Sequence, residues 1–534
     1  MSAYFKLVFF CLLLPIVLTA QEIEFILSVG NSGSHLVDVS IHVTSSPEDT
    51  ISVAMPAWSP GRYVIYNFSR HVQEFRVADQ SGTEIPSEMT DLHTWRFAPG
   101  KDNRFVVSYR VYANTLDGTF SKLDSSGASF NLANLLVYVS KYKHLPVTLR
   151  LTDSGNWSVV SALPAIGTNT FSAANYDQLI DAPVDIGRFE IIDFNHRDIT
   201  HTLVLHNPLP PDFISLFTDD LKVILDQYCQ VFNSSLPYPR YTFFYHLNPD
   251  LALSDGMEHR DATRILLKIP AANLVAEANT NDDYDNLIWL SAHEVFHAWH
   301  VKRLRPVGLG PFDYQHATDT DFLWLVEGLT SYYAYLSLIR GHIYTKEKFY
   351  SEFANKISRF ENHPAKNLRS LAEVSRLTWL FMGDVPSFEK TNLEKTFYSY
   401  YLKGMLLALM LDIEIRSRSG NRASLDNVMA EMYRRYYLEP EGTYYMRGTG
   451  YTTKDFMRIV ESVAGSDFQN FFKRYVFNCG DISYNDYFVK AGLVLAPADQ
   501  SDSPDKRISF ILNEIDSVTP ETKNILSGLL NGNN

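Results

Sequence analysis

The sequence predicts a multidomain α+β protein, in which a β-rich N-terminal domain precedes a domain of mixed strands and then helices. Three observations carry this expectation. A chain of 534 residues is too long for one hydrophobic core. Its first third alternates apolar and polar residues in short runs. After a proline-rich stretch, the apolar period lengthens to that of helices.

The runs "HLVDVSIHV", "RFVVSYRVYA" and "PVTLRLT" read as strands, each bounded by Gly, Asp, Ser or Pro. Their spacing predicts a β-sandwich-like domain over residues 21–205. The segment "HNPLPPDF", His206 to Phe213, marks the boundary. A second domain is expected over residues 206–487. It opens with the helical "ISLFTDDLKVILDQYCQVF", and the strands "YTFFYHL" and "TRILLKI" flank a loop, "SDGMEHRD". Helices are then predicted from Asp283 to about Val301, Asp321 to Arg340, Asn392 to Arg418, and Ser424 to Tyr437. Gly341 and Gly420 stand where helix-ending glycines stand. Residues 488–534, with the polar "APADQSDSPDK", form a short tail, too small for another packed domain.

The first twenty residues have the pattern of a secretory signal: Lys6, an apolar run from Leu7 to Leu18, and small residues before a cut at Ala20–Gln21. The expectation is export to a periplasmic or extracellular space. No later segment is long and apolar enough to span a bilayer, so no stable membrane insertion is expected after cleavage. Cleavage leaves Cys229 and Cys479, and a chain this large needs no covalent staple, so their pairing stays open. With 61 acidic against 47 basic residues, the net charge of −14 disfavours a nucleic-acid partner. Nothing in the pattern specifies an oligomer.

The chemistry concentrates in "SAHEVFHAWH", Ser291 to His300. His293 and His297 are four apart, so on a helix both imidazoles share one face and can clasp one ion. Glu294 lies beside them, within reach of a water on that ion; this is the H-E-x-x-H arrangement. His300 is not the third ligand. It lies about 10 Å along the axis from His293, beyond the reach of bonds of about 2 Å. Nor does the chain carry the glycine at position 300 and histidine at position 303 that a turned-back ligand set needs. The remaining candidate is Glu327, in the middle of the apolar "DFLWLVEGLTSYYAYLSL". Two imidazoles and one carboxylate leave the fourth position open, the pattern of a catalytic zinc site with one Zn2+ per chain.

With these residues in place, the chain resembles the gluzincin metallopeptidases, and within them the M61 glycyl aminopeptidase family. The resemblance rests on "HEVFHAWHVKRLRP", "WLVEGLTSYY", "MPAWSPGRYVIYNFSRHV", "DGMEHR" and "YYLKGMLLALMLDIEIR", and spans about Gln21 to Leu495. It implies a thermolysin-like catalytic domain with a helical C-terminal subdomain. It also implies that Glu258 faces the free α-amine of a peptide substrate. Tyr401, or its neighbour Tyr400, would donate to the oxyanion. Many family members carry a PDZ-like domain at the C-terminus, and a complete one is not expected here. Asp255 stands where the family often has glycine, which bears on the family's preference for a small first residue. The implied activity is zinc-dependent removal of the first residue from peptides, with Gly or Ala favoured. Two other readings share these residues: a thermolysin-like endopeptidase, and a peptidase scaffold that only binds.

Overall fold

The computed structural model describes residues 22–45, 49–100, 102–275, 282–381, 390–442, 448–498 and 507–532. The expected signal segment lies outside them. A seven-stranded sheet opens the chain, centred on Glu22–Asn31 and Leu36–Thr44, with Arg104–Tyr112 and Val147–Thr152 as their outer partners. Along Glu22–Asn31 the alternation works as read: Ile23, Phe25, Leu27 and Val29 are buried, and their neighbours face outward. Two four-stranded sheets complete this β domain. Between the sheets lies a core that includes Phe25, Val39, Val107, Leu149 and Ile186.

The second domain is built on a five-stranded sheet, whose strands we label β1 (Glu190–His196), β2 (Ile199–Leu205), β3 (Arg240–Leu247), β4 (Asp255–Glu258) and β5 (Ala262–Leu267). Their order is β1-β2-β3-β5-β4. β2, β3 and β5 run parallel, and the antiparallel β4 forms a free edge. Two differences from the sequence reading follow. The boundary falls before Glu190 rather than after Leu205, because β1 and β2 pair into this sheet and bury Leu203 and Leu205 in its core. "DGME" is an edge strand, not a loop.

Four helices position the site: α1 (Pro211–Val231), α2 (Asp282–Phe296), α3 (Thr330–Arg340) and α4 (Tyr400–Ser419). Asp282, Asp283 and Asp285 complement the N-terminal dipole of α2, and Leu287, Ile288, Ala292, Val295 and Phe296 bury its inner face. Tighter turns continue past Phe296, closed by the Ala298 N–H to the Val295 carbonyl at 3.1 Å and the Trp299 N–H to the Phe296 carbonyl at 3.0 Å. The predicted helix over Asn392–Arg418 is two: Lys390–Thr396 ends before Ser399, whose side chain caps α4 by accepting from the Leu402 N–H at 3.3 Å. Gly420 ends α4 in the left-handed conformation, at φ +62°.

The tail folds back onto the helices. Leu493–Pro497 pairs with Phe510–Glu514, and the helix Pro520–Asn531 buries Ile525 and Leu529 in the main core. Cys229 is buried, Cys479 is exposed, and both are free thiols. Among the described residues, no helix is long and apolar enough to cross a membrane.

The two domains meet at Asp185, fully buried at the end of the β domain. Its Oδ2 accepts from Nε2 of His206 at 2.7 Å and of His246 at 3.0 Å, and the two rings stack 3.8 Å apart. Burial and the neighbouring His206 hold His246 down to about 4, and burial lowers His201 to about 4 as well. An unfolded imidazole takes up its proton near pH 6.5, whereas these stay neutral until about pH 4. The unfolded chain therefore binds more protons in that window, and stability must fall as the pH drops from about 6.5 to about 4. Melting temperatures measured across this range should show the fall, and His246→Gln should make it shallower. An unchanged slope in that variant would contradict the assignment.

Candidate metal centre and active site

α2 and the turns after it deliver two imidazoles to one point. The Nε2 atoms of His293 and His297 are 3.3 Å apart. Glu327 Oε2 lies 3.5 Å from the first and 3.4 Å from the second. Ligands placed about 2 Å from a tetrahedral ion are separated by about 3.3 Å, so the three atoms form one face of such a shell. The donor set of two nitrogens and one carboxylate oxygen fits zinc with an open fourth position. His297 Nδ1–H donates to the His300 carbonyl at 2.8 Å, which leaves Nε2 bare for a metal. His293 Nδ1 lies 3.4 Å from Ser331 Oγ.

Glu327 reaches this point from a stretch of wider π turns, Trp324–Leu329, that leads into α3. The approach of α4 to these turns depends on two glycines. A Cβ on Gly328 would lie 2.6 Å from the Gly404 Cα, and one on Gly404 would lie 2.6 Å from the Trp324 carbonyl oxygen. Gly404 follows Tyr401 by three positions in "YYLKG", and the contact sets Tyr401 beside the metal-binding face. Tyr401 lines the cavity with His293, His297 and Glu327, its ring 6.1 Å from that of His293. Tyr400 packs in the core behind it. Burial, reinforced by Glu327, keeps the Tyr401 phenol protonated well above its ordinary range.

The edge strand β4 supplies Glu258 to the same cavity, of about 380 Å³. The side chain is buried, and its Oε1 has no hydrogen-bond partner among the described residues. Space above it is left by Gly61, from the β domain, at φ +91°: a Cβ there would lie 2.8 Å from Glu258 Oε2. Gly256 does the same for Glu294, whose Oε1 would sit 2.1 Å from an added Cβ. Arg62 donates to Asp255 Oδ2 at 2.5 Å and to the Gly256 carbonyl at 3.2 Å, and the Gly118 N–H also donates to Asp255 at 2.9 Å.

The electrostatics reflect three carboxylates buried together. Burial, with Glu258 and Glu327 adding and His297 opposing, pushes the Glu294 carboxyl well up. Against the pull of burial, Glu327, Glu258 and Glu294 raise His297 to about 9. Burial lowers His293. A cation bound by the triad would oppose the upward pushes on Glu294 and His297 by supplying positive charge, and would lower His293 further.

His300 turns away, with its Nε2 2.7 Å from the Tyr451 hydroxyl, and burial lowers it to about 3. Its backbone, not its imidazole, serves the site. The basic residues that follow brace the turn. Lys302 pairs with Asp181 of the β domain at 2.9 Å, and Arg303 bonds Asp261 and the carbonyls of Arg260 and Ala298. The structure thus brings together His293, Glu294, His297, Glu327, Glu258 and Tyr401. Sequence reasoning assigned no role to Gly61, Arg62 or Gly256; the positive φ of Gly61 is a turn signal readable only from "SPGR".

Removing one ligand should empty the centre. Glu327→Ala should lower the metal content of the purified protein from about one ion per chain to near zero, because two imidazoles alone hold an ion far more weakly. Elemental analysis checks this, and full metal content in the variant would contradict the assignment.

The model of the M61 peptidase N-terminal domain matches residues 24–188, and that of M61 glycyl aminopeptidase matches residues 286–407. No curated protein matches the chain by sequence. Among solved structures, an aminopeptidase N family protein from Idiomarina loihiensis is similar at 26% identity and a TM-score of 0.81, over 90% of this chain and 80% of its own. An M1 zinc metallopeptidase from Deinococcus radiodurans is 13% identical, with a TM-score of 0.52 over 87% of this chain and 95% of its own, a likeness of fold. With two domain models of one family matching in order, and the buried His293–His297–Glu327 cluster between the helices, the chain belongs to the M61 glycyl aminopeptidase family and is a metallopeptidase.

Proposed function

We propose that the protein is an exported, zinc-dependent aminopeptidase that removes the first residue of peptides bearing a free N-terminus, with Gly or Ala favoured there. The observation that carries this reading is the buried, unpartnered Oε1 of Glu258 in the cavity that holds the metal-binding side chains. A buried carboxylate oxygen without a donor is a costly arrangement, and a protonated α-amine supplies both donor and charge. Export is supported by the apolar run from Leu7 to Leu18 behind Lys6.

When bound, zinc supplies Lewis-acid polarisation of the scissile carbonyl and of the attacking water. Glu258 holds the amine and so sets the register at one residue. Glu294 takes the proton of the water as the carbonyl is attacked, and passes it to the leaving amine. Tyr401 donates to the oxygen on which negative charge develops. Arg62 and the Gly118 N–H both donate to Asp255 Oδ2, and the Arg62 guanidinium offsets the charge of that carboxylate in the cavity wall. The Arg62–Asp255 pair lines the same cavity as Glu258, which supports a small first residue.

Glu258→Ala should lower kcat/KM on free-amine peptides by about 100-fold or more, as loss of one partner from a buried charge pair does. N-acetylated peptides should resist the native enzyme. If they are cleaved as fast as their free-amine forms, Glu258 is not an amine anchor, and the protein cuts internally.

A further inference from the structure

A second cavity opens beyond the one that holds the metal-binding side chains. It measures about 590 Å³ against about 380 Å³, and Asn286, Trp289 and Tyr401 line both, so the two adjoin. Glu258 lines only the first. A peptide with its amine at Glu258, lying along the free edge of β4, passes Gly256 and then Asp255. Ser254, Asp255 and Asn286 line the first cavity on that path, and Asn286 opens into the second. The second cavity therefore receives the part of the substrate that leaves.

Its far wall is one face of the helix Lys346–Glu361, which presents Lys348, Glu352, Lys356 and Arg359. The charges along that face are unevenly matched. Lys348 is held by Asp285 at 2.5 Å. Glu352 is shared between Lys348 at 3.9 Å, Lys356 at 3.5 Å and the Tyr335 hydroxyl at 3.0 Å. Arg359 is exposed and meets no carboxylate within ion-pair distance among the described residues. Asp282, Asp285 and Glu352 thus face Lys348, Lys356 and Arg359 in the chamber lining, and among the described residues Arg359, at the end of the helix face farthest from Lys348, is the cation there that meets no carboxylate.

We propose that this chamber binds the free C-terminal carboxylate of short peptides, with Arg359 and Lys356 as the anchoring cations. The proposal rests on the aminopeptidase reading and deepens it: the substrates are oligopeptides gripped at both ends, the amine by Glu258 and the carboxylate by Arg359. A guanidinium suits the task, since it meets a carboxylate with two parallel hydrogen bonds. A chamber of this size holds about two or three residues beyond the cleaved bond, so the grip belongs to a narrow range of lengths.

The test compares alanine tri-, tetra- and pentapeptides as free acids and as C-terminal amides, on the zinc-loaded native enzyme and on a double variant, Lys356→Gln with Arg359→Gln. The native enzyme should favour the acid by about tenfold at one or two lengths, mainly through KM, as expected for one charge-assisted anchor. The ratio should fall to near one in the double variant. Three results would overturn the proposal: a ratio near one in the native enzyme at every length, a ratio that survives in the double variant, or an amide carrying an internal glutamate that is cleaved as well as the acid. Alanine anilide separates this proposal from its foundation. If the anilide is hydrolysed while acid and amide are equal, the chamber assignment fails and the aminopeptidase reading stands. If neither peptides nor anilide react, both fail.

Discussion

Three carboxylates, Glu258, Glu294 and Glu327, are buried side by side next to two imidazoles, and the rest of the structure answers to that constraint. Negative charges removed from water repel one another and lose hydration, so such a cluster persists only where positive charge is supplied. On the proposed function, a divalent cation in the triad and an amine at Glu258 would supply it from two sides. On that reading the metal-binding triad and Glu258 form one electrostatic unit, in which each makes the other tolerable.

Backbone proximity builds that unit. α4 reaches the turns that carry Glu327 because Gly328 and Gly404 face each other, and β4 passes close over Glu294 because Gly256 has no side chain. The β domain is a wall of the site rather than an appendage. Gly61 and Arg62 close over β4, while Asp181 and Asp185 hold the second domain through Lys302 and the His206–His246 stack. A substrate bound at Glu258 therefore touches both domains.

The parts legible in the sequence are those that depend on local period. His293 and His297 declare a shared helix face by their spacing, and Glu327 is conspicuous as a charge in the middle of an apolar stretch. Glu258 was legible only through family resemblance, since in isolation it is one polar residue in a short segment. Gly61, Arg62 and Gly256 were silent because their roles are contacts with residues distant in sequence: Arg62 meets Asp255 across 193 positions. The break before α4 was hidden by an apolar pattern that continues across it, although Ser399 was a readable cap. The domain boundary was misplaced because β1 and β2 alternate like the strands before them, and only their partners assign them to the second sheet.

The most direct test of the account is mass spectrometry of a defined peptide mixture incubated with the purified mature protein, with and without a metal chelator. The account predicts stepwise loss of single N-terminal residues, abolished by the chelator and restored by zinc. Internal cuts, or removal of N-terminal residues that the chelator leaves untouched, would contradict it.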